Sequence, residues 1–474
     1  MTWSRREVLA SLGVASAQAI AWATGCGGGQ TPVRRAEPEA SGEVRTWLRD
    51  AIAALAGAGL GEPHALAVAR GRTTAASDVL GASVARGRCA GAVLSATDRG
   101  GVRREQVTGD LSQAGIAAAV KALAGATPAP ARVAFAPPQV WGAIPVEPDD
   151  AALLERARQL AHDRAMSSRI VYWAGAIDVD DATLWAIAPD HDREQRLVRV
   201  RCAATRVAWN GTRPVVAEAS RAWSGGVAEH ELDEDEREAA SRAALALYTP
   251  SPFEPGEFAL VLEPSVTAAV IDAAVPALLT ASAARRPEVA RRLAVGASVA
   301  SPLVTLVDDP TIAGAYGGFH FDDLGAPAAA IPLVDAGRVV GRIGPRLRPG
   351  HIGPADAAPS HLRLAPGDVD HEALRGEGYL LEGGLGAMVD PSSDRVVISI
   401  ARARQLHDGQ TTGRTYADLE LVGELGPLLA SVSGVSKQTA SFGLRDERDG
   451  LPRWRSIEAP WLRATGRLRA RSQP

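Results

Sequence analysis

The distribution of apolar residues predicts that helices and strands alternate over the first half of the chain. Apolar residues recur at helical spacing in three segments, whereas several shorter runs have the composition of strands. The predicted helices lie at 47–55, from the N-cap residue 112 to 123, and from 149 to 160. The predicted strands lie at 65–69, 83–85, 92–96, 170–173, 183–188, 197–209 and 214–223, with turns at 86–87, 100–101 and 210–211.

Prolines and acidic residues indicate where this pattern is interrupted. Six prolines between 127 and 148 disfavour both a helix and a central strand. An acidic run at 229–236 opens a predicted helix to about Tyr248, because acidic side chains favour a helix N-terminus. A strand follows at 257–262. These breaks predict a first domain at 44–126, a proline-rich linker at 127–148, a central domain at 149–250 and a C-terminal domain at 256–472.

Length and charge narrow the class of protein. The 474 residues suffice for two or three domains with their own cores. The formal net charge of −4 provides no basic footprint for nucleic acid. Beyond the N-terminus, no uninterrupted apolar run is long enough to cross a bilayer.

The N-terminal 26 residues have the pattern of an export signal. Arg5 and Arg6 form a twin-arginine pair before a moderately apolar stretch, which favours the Tat route, although an ordinary Sec signal remains an alternative. Small residues precede Cys26, as in the cleavage site of bacterial lipoproteins. We therefore expect a signal at 1–26, lipidation at Cys26 and a flexible tether at 27–43. The predicted location is the cell envelope, either lipid-anchored or periplasmic.

The two remaining cysteines do not indicate a metal site. Cys89 and Cys202 are isolated, with no C-x-x-C spacing and no nearby histidine. Such cysteines are typical of buried thiols.

Several segments of the second half resemble one known family. Residues 302–310 read PLVTLVDDP and residues 321–327 read FDDLGAP, and both are similar to the C-terminal domain of the TldD/PmbA family. This family is also called TldD/TldE metalloprotease or modulator of DNA gyrase. Residues 376–384 resemble its glycine-rich segment, and 390–400 resemble a strand entry in which Asp394 replaces a glycine. The resemblance implies an α+β fold, with α/β N-terminal and central domains followed by a β-rich C-terminal domain.

The paired acids in these segments could be misread as a catalytic dyad. Asp308-Asp309 and Asp322-Asp323 each close a strand before a proline or glycine, where aspartate commonly bonds turn backbone. We interpret both pairs as structural. Their form is closer to the PmbA (TldE) branch, which lacks the zinc motif, than to TldD.

The zinc-binding motif of the catalytic relatives is missing. That motif, H-E-x-x-x-H, lies about thirty residues before the V-D-D segment, and the corresponding positions here are Asp272, Ala273 and Ala277. A further family ligand, a cysteine, corresponds to Leu444. Zinc peptidases need two imidazoles and a carboxylate base. No zinc or other cofactor is therefore expected, and Pro276 predicts a kinked or short helix as well.

Other histidines offer an alternative set of ligands. His351, His361 and His371 are spaced by ten residues in a stretch rich in proline and glycine, which is typical of unrelated surface histidines in loops. The leading hypothesis is a non-catalytic PmbA/TldE-like subunit at the cell envelope that handles unfolded peptides and pairs with a TldD-like zinc peptidase. A metallopeptidase with rearranged ligands and a stand-alone peptide-binding lipoprotein are the alternatives.

Overall fold

The computed structural model describes residues 41–142, 149–209, 214–227, 229–247, 251–344, 358–390, 392–448 and 451–471. Within them the chain forms helices and two sheets. The helices are α1 (Ser41–Gly57), α2 (Gln113–Ala124), α3 (Asp150–Ala161), α4 (Glu234–Ala246), α5 (Pro264–Leu278), α6 (Pro287–Arg292) and α7 (Leu425–Ala430). Two short 3-10 helices lie at Ala283–Arg285 and His371–Leu374.

Strands from the first half form a seven-stranded sheet in the described part of the chain. They are β1 (Gly61–Asp78), β2 (Gly81–Thr97), β3 (Arg103–Thr108), β4 (Pro138–Trp141), β5 (Ile170–Ala188), β6 (His191–Trp209) and β7 (Pro214–Ser224). The order is β3-β2-β1-β5-β6-β4, and β7 also pairs with β6. The ladder between β1 and β5 joins the segments predicted as the first and central domains into one sheet.

The proline-rich segment contributes to this sheet. Its strand β4 begins at Pro138 and pairs in parallel with β6 at the sheet edge. A proline at the start of an edge strand removes no ladder hydrogen bond, so the prolines exclude a central strand but not this one.

One predicted turn is wrong. Residues 86 and 87 lie inside β2, where Arg86 and Gly87 pair with Thr73 and Arg72, and the reversal between β1 and β2 lies at 79–80. The polar residues belong to one continuous hairpin rather than to a break between short strands. The predicted turn at 100–101 and the N-cap at Ser112 are confirmed. The dipeptide at 210–211 lies outside the described residues.

Strands from the described residues of the second half form a ten-stranded sheet. They are β8 (Gly256–Leu262), β9 (Leu306–Asp308), β10 (Ile331–Asp335), β11 (Arg338–Val339), β12 (His361–Leu364), β13 (Gly378–Asp390), β14 (Arg395–His407), β15 (Gln410–Glu424), β16 (Gly434–Arg448) and β17 (Leu451–Ala470). β17 pairs with β8, β12, β15 and β16 and is the most connected of them. Helix α5 packs into the largest apolar core, against this sheet. The architecture is the predicted α+β fold with a β-rich C-terminal part.

None of the described helices combines the length and the apolar character needed to cross a membrane. Arg5, Arg6 and Cys26 lie outside the described residues, and the predicted signal and lipidation site stay predictions.

Candidate functional site

Helix α5 brings the positions of the missing zinc motif against the β16–β17 hairpin. Asp272 lies on α5, and the guanidinium of Arg455, on β17, donates a hydrogen bond to its carboxylate. Leu444 lies on β16 directly opposite Arg455 in the ladder. The fold therefore places the helix and strand positions close together, as the resemblance implied, but with an ion pair between them.

The other motif positions have apolar surroundings. Ala273, Ala277 and Leu444 pack against the core of the C-terminal sheet. None of these side chains carries a ligand atom, and the carboxylate of Asp272 is engaged by a cation. Because zinc sites need three or four nitrogen, sulfur or carboxylate ligands, these residues do not fit zinc.

Pro276 does not shorten the helix as the sequence suggested. Helix α5 continues to Leu278, and Pro276 lies in its last turn. The hydroxyl of Thr280 donates to the carbonyl of Pro276 at 3.3 Å, and Arg286 donates to the carbonyl of Ala277. The prediction of a short helix is thus wrong, because the helix continues past Pro276 and side chains satisfy its end. A kink at Pro276 stays a prediction.

The three spaced histidines do not form a cluster in the described part of the chain. His361 is not a surface loop residue: it lies on β12, is 2% exposed, and its Nδ1 is 2.8 Å from Oγ of Ser456. Burial lowers its pKa. His371 stacks on Trp461 with ring centroids 4.8 Å apart, and His351 lies outside the described residues.

The described residues contain one group of three potential metal ligands, Glu377, His407 and Asp408, which is exposed where the β14–β15 turn meets the start of β13. It involves none of the family's motif positions. Exposed acidic groups of this kind are common without a metal.

The paired acids have structural roles, as predicted. The carboxylate of Asp308 accepts hydrogen bonds from the backbone N–H groups of Ser360 and His361 at 3.0 and 2.9 Å. Asp322 accepts from the backbone N–H groups of Leu324 and Ala326 at 3.0 and 2.8 Å, which closes its turn.

Sequence reasoning missed a polar face on the first sheet. In the ladders, Arg72 on β1 lies opposite Asp180 on β5, which lies opposite Arg199 on β6. The next row in the same face is Thr74, Asp178 and Arg201. Side chains two residues apart share one face of a strand, so the repeated R-x-R, D-x-D and R-x-R spacing was the available signal.

This polar face meets the β16–β17 hairpin. The guanidinium of Arg70 and that of Arg199 each lie 4.6 Å from the ring centroid of Trp454, a cation–π distance. The indole N–H of Trp454 donates to Asp180 at 3.2 Å. Arg445 on β16 has its Nε 3.8 Å from the same carboxylate. These contacts hold the sheet face and the hairpin together.

Residues that follow the V-D-D segment contact the same polar face of the first sheet. Arg199 donates to the carbonyls of Tyr316 and Gly318 at 2.8 and 3.0 Å. Burial lowers the pKa of Arg199 to about 10, so the group stays protonated at neutral pH. Burial, with Asp180 and Asp178 nearby, raises the pKa of Tyr316 to about 12, so its hydroxyl stays neutral.

Comparison with known proteins agrees with this architecture. Residues 255–466 match the family model described as PmbA/TldA metallopeptidase C-terminal domain. A metalloprotease of Methanocaldococcus jannaschii is 27% identical over 214 residues, which are 42% of this chain and 47% of the relative. The chain thus spans about half the length of that curated relative.

Two solved structures share the fold over most of the chain. One is a candidate modulator of DNA gyrase from Bacteroides thetaiotaomicron, with a TM-score of 0.71, 16% identity, and coverage of 91% of this chain and 100% of the other. The other is TldE from Thermococcus kodakarensis, with a TM-score of 0.67, 16% identity, and coverage of 88% and 98%. At these identities the likeness concerns the fold.

Fold and site together define an α+β protein whose motif positions, Asp272, Ala273, Ala277 and Leu444, do not suit zinc. More specifically, residues 255–466 are similar to the PmbA/TldA metallopeptidase C-terminal domain.

Proposed function

We propose that this chain is a non-catalytic PmbA/TldE-like subunit that handles unfolded peptides and pairs with a TldD-like zinc peptidase. The observation that carries the proposal is the Arg455–Asp272 ion pair, formed where the family's zinc motif would lie, with Ala273, Ala277 and Leu444 beside it. A peptidase needs a metal-bound water and a base to activate it, and these side chains provide neither. No cofactor is part of the proposal.

The place of action is part of the same proposal. The twin arginines at Arg5 and Arg6 and the lipoprotein-like Cys26 support export by the Tat route and attachment at the cell envelope. The protein would then meet its partner and its peptides outside the cytoplasm. It would be held at the membrane by a lipid anchor rather than by a membrane span.

The test begins with the metal content of purified protein from Glu43 onward, measured by elemental mass spectrometry. We expect zinc well below one equivalent per chain and no EDTA-sensitive cleavage of an unfolded peptide such as reduced, carboxymethylated casein. A TldD-like protein with an intact H-E-x-x-x-H motif is the positive control, added alone and together with this chain. A subunit role predicts that the two proteins co-elute and that this chain changes the rate of cleavage.

Two other results would replace the proposal. About one tightly held zinc per chain, together with EDTA-sensitive cleavage by this chain alone, would support a metallopeptidase with rearranged ligands, and variants of His351, His361 and His371 would then be tested first. A monomer that binds peptide but associates with no TldD-like protein would support a stand-alone envelope peptide-binding lipoprotein.

A further inference from the structure

The C-terminal part of the chain contains an apolar cavity beside helix α5. Its volume is about 190 Å³, and most of the side chains that line it are aliphatic. Helix α5 contributes one wall, formed by Ile271, Ala274 and Leu278. The described residues that line the cavity include none of the four degenerate motif positions. The cavity is therefore a feature separate from the missing zinc site.

Backbone hydrogen bonds fix the other walls of the cavity. The N–H of Ser301 donates to the carbonyl of Leu429, on α7, at 3.0 Å, and the N–H of Val299 donates to the carbonyl of Gly337 at 2.8 Å. Leu429 and Val299 both line the cavity. Because packed walls relax only partially around a void, segments held in this way keep the cavity open.

One end of the cavity reaches solvent beside an ion pair. Ser298 lines this end and is exposed, and the side chain of Arg292 is 52% exposed. The guanidinium of Arg292 pairs with the carboxylate of Asp394, whose side chain is 3% exposed and also lines the cavity. The pairing neutralises the buried carboxylate, so the rest of the interior presents an apolar surface to a ligand.

Volume and lining together set the class of ligand. Protein interiors contain few voids larger than a water molecule, and an unfilled apolar void destabilises a fold. An engineered apolar cavity of roughly 150 Å³ stays dry and takes up benzene. Sites for drug-sized ligands measure about 300–1,000 Å³. The cavity beside α5 therefore fits one aliphatic side chain or one aromatic ring, but not a larger ligand.

We propose that this cavity binds a single leucine- or phenylalanine-sized side chain of a peptide. The inference rests on the proposed peptide-handling function and deepens it, because it assigns peptides with exposed apolar side chains as the preferred ligands. An unfolded peptide exposes such side chains to water, and their burial in the cavity removes this apolar surface from water. The ligand also fills a void that weakens the free protein.

The first measurement compares three peptides by isothermal titration calorimetry on the full mature chain. Each is an acetylated and amidated pentapeptide of alanine whose central residue is alanine, leucine or phenylalanine. We expect the leucine or the phenylalanine peptide to bind about tenfold more tightly than the alanine peptide, because several additional carbon atoms become buried.

The second measurement uses benzene as a probe of the cavity itself. A ligand that binds only the folded state raises the melting temperature, so saturating benzene should stabilise the unmodified chain. The variant Ala274→Leu fills the cavity from α5, where residue 274 is 2% exposed. The matched control is Ala430→Leu, at the exposed end of α7. The first variant should lose both the benzene effect and the preference among peptides, whereas the control should keep both.

A second variant guards against misfolding of Ala274→Leu. Ser298→Phe places a ring at the exposed end of the cavity, outside the core, and should also remove the preference among peptides. Thermal unfolding without ligand verifies that each variant is folded.

The possible failures are distinguishable. Equal binding of the three peptides by the unmodified chain would overturn the side-chain site while leaving peptide handling intact. An unchanged preference in a folded Ala274→Leu and in Ser298→Phe would overturn the assignment to this cavity. Absence of binding by all three peptides would count against peptide handling and this inference together, even if benzene binds.

Discussion

Removing the guanidinium of Arg455 tests whether the ion pair at the degenerate motif exists in solution. Arg455 and Asp272 belong to different elements, β17 and α5, so their contact helps hold the helix against the hairpin. The perturbation is a double-mutant cycle of Arg455→Ala, Asp272→Ala and the combined variant. The cycle isolates the interaction between the two side chains from their other contacts.

Burial sets the expected size of this interaction. The side chains of Arg455 and Asp272 are 15% and 31% exposed. Fully exposed ion pairs contribute about 0.2–1 kcal/mol, whereas loss of one partner of a fully buried pair costs about 3–5 kcal/mol. A half-buried pair lies between these limits, so we expect a coupling free energy of about 1–2 kcal/mol.

The assay is urea unfolding followed by tryptophan emission. Trp454 and Trp461 lie on the same strand as Arg455, so part of the signal reports the C-terminal sheet directly. Far-UV circular dichroism on the same samples shows whether both sheets unfold together. If they unfold separately, the coupling energy is taken from the transition of the C-terminal sheet.

A coupling of less than about 0.3 kcal/mol, the usual error of additivity, would refute the reasoning. Asp272 would then be open to another cation, and the argument against metal binding would lose its main support. Zinc analysis of Arg455→Ala provides a second reading, because Ala273 and Ala277 offer no ligand and the metal content should stay near zero.

Two further predictions concern packing and pH. Gly443→Ala places a Cβ within 2.2 Å of the Ala222 side chain and should lower the free energy of unfolding by about 1–3 kcal/mol. The control Gly426→Ala, with no atom within 4 Å of the added Cβ, should be neutral or slightly stabilising in thermal unfolding. Equal effects of the two variants would contradict the close contact between hairpin and sheet. Because burial lowers the pKa of His361, its contribution to stability is complete above about pH 6.5, the unfolded value, and is lost as pH falls through the folded pKa. The melting temperature of His361→Gln should thus fall less between pH 7.5 and 5 than that of the unmodified chain. Parallel curves of melting temperature against pH would show that the protonation of His361 does not change on unfolding.

Local sequence signals predicted the elements better than their pairing. The cap at Ser112 and the acidic first turn of α4 were readable because each depends on neighbouring residues. The pairing of β1 with β5 was not, since it joins residues about a hundred positions apart and depends on burial of both faces. Arg86 and Gly87 indicated a turn only because the partner strands were not visible in the sequence.

The same distinction between local and distant signals applies to the candidate site. The absence of ligands at Ala273 and Ala277 follows from residue type alone and required no structure. The opposing cation, Arg455, could not be foreseen, because nothing in its neighbourhood along the chain points to α5. His361 was misjudged for a related reason: the strand that buries it is only four residues long and is fixed by the distant Asp308.

The position of β17 has a consequence for the order in which the protein assembles. Residues 451–470 must be synthesised before β8, at 256–262, can acquire its antiparallel neighbour or β12 its parallel one. Contacts this distant in sequence form slowly, because a long loop must close, at a cost in conformational entropy, before the contacts stabilise the fold. During translation β8 and β12 therefore each lack one neighbour until β17 is made, and they expose edges that favour aggregation. A protein exported only after folding would have to pass through this stage in the cytoplasm, where chaperones are the available protection.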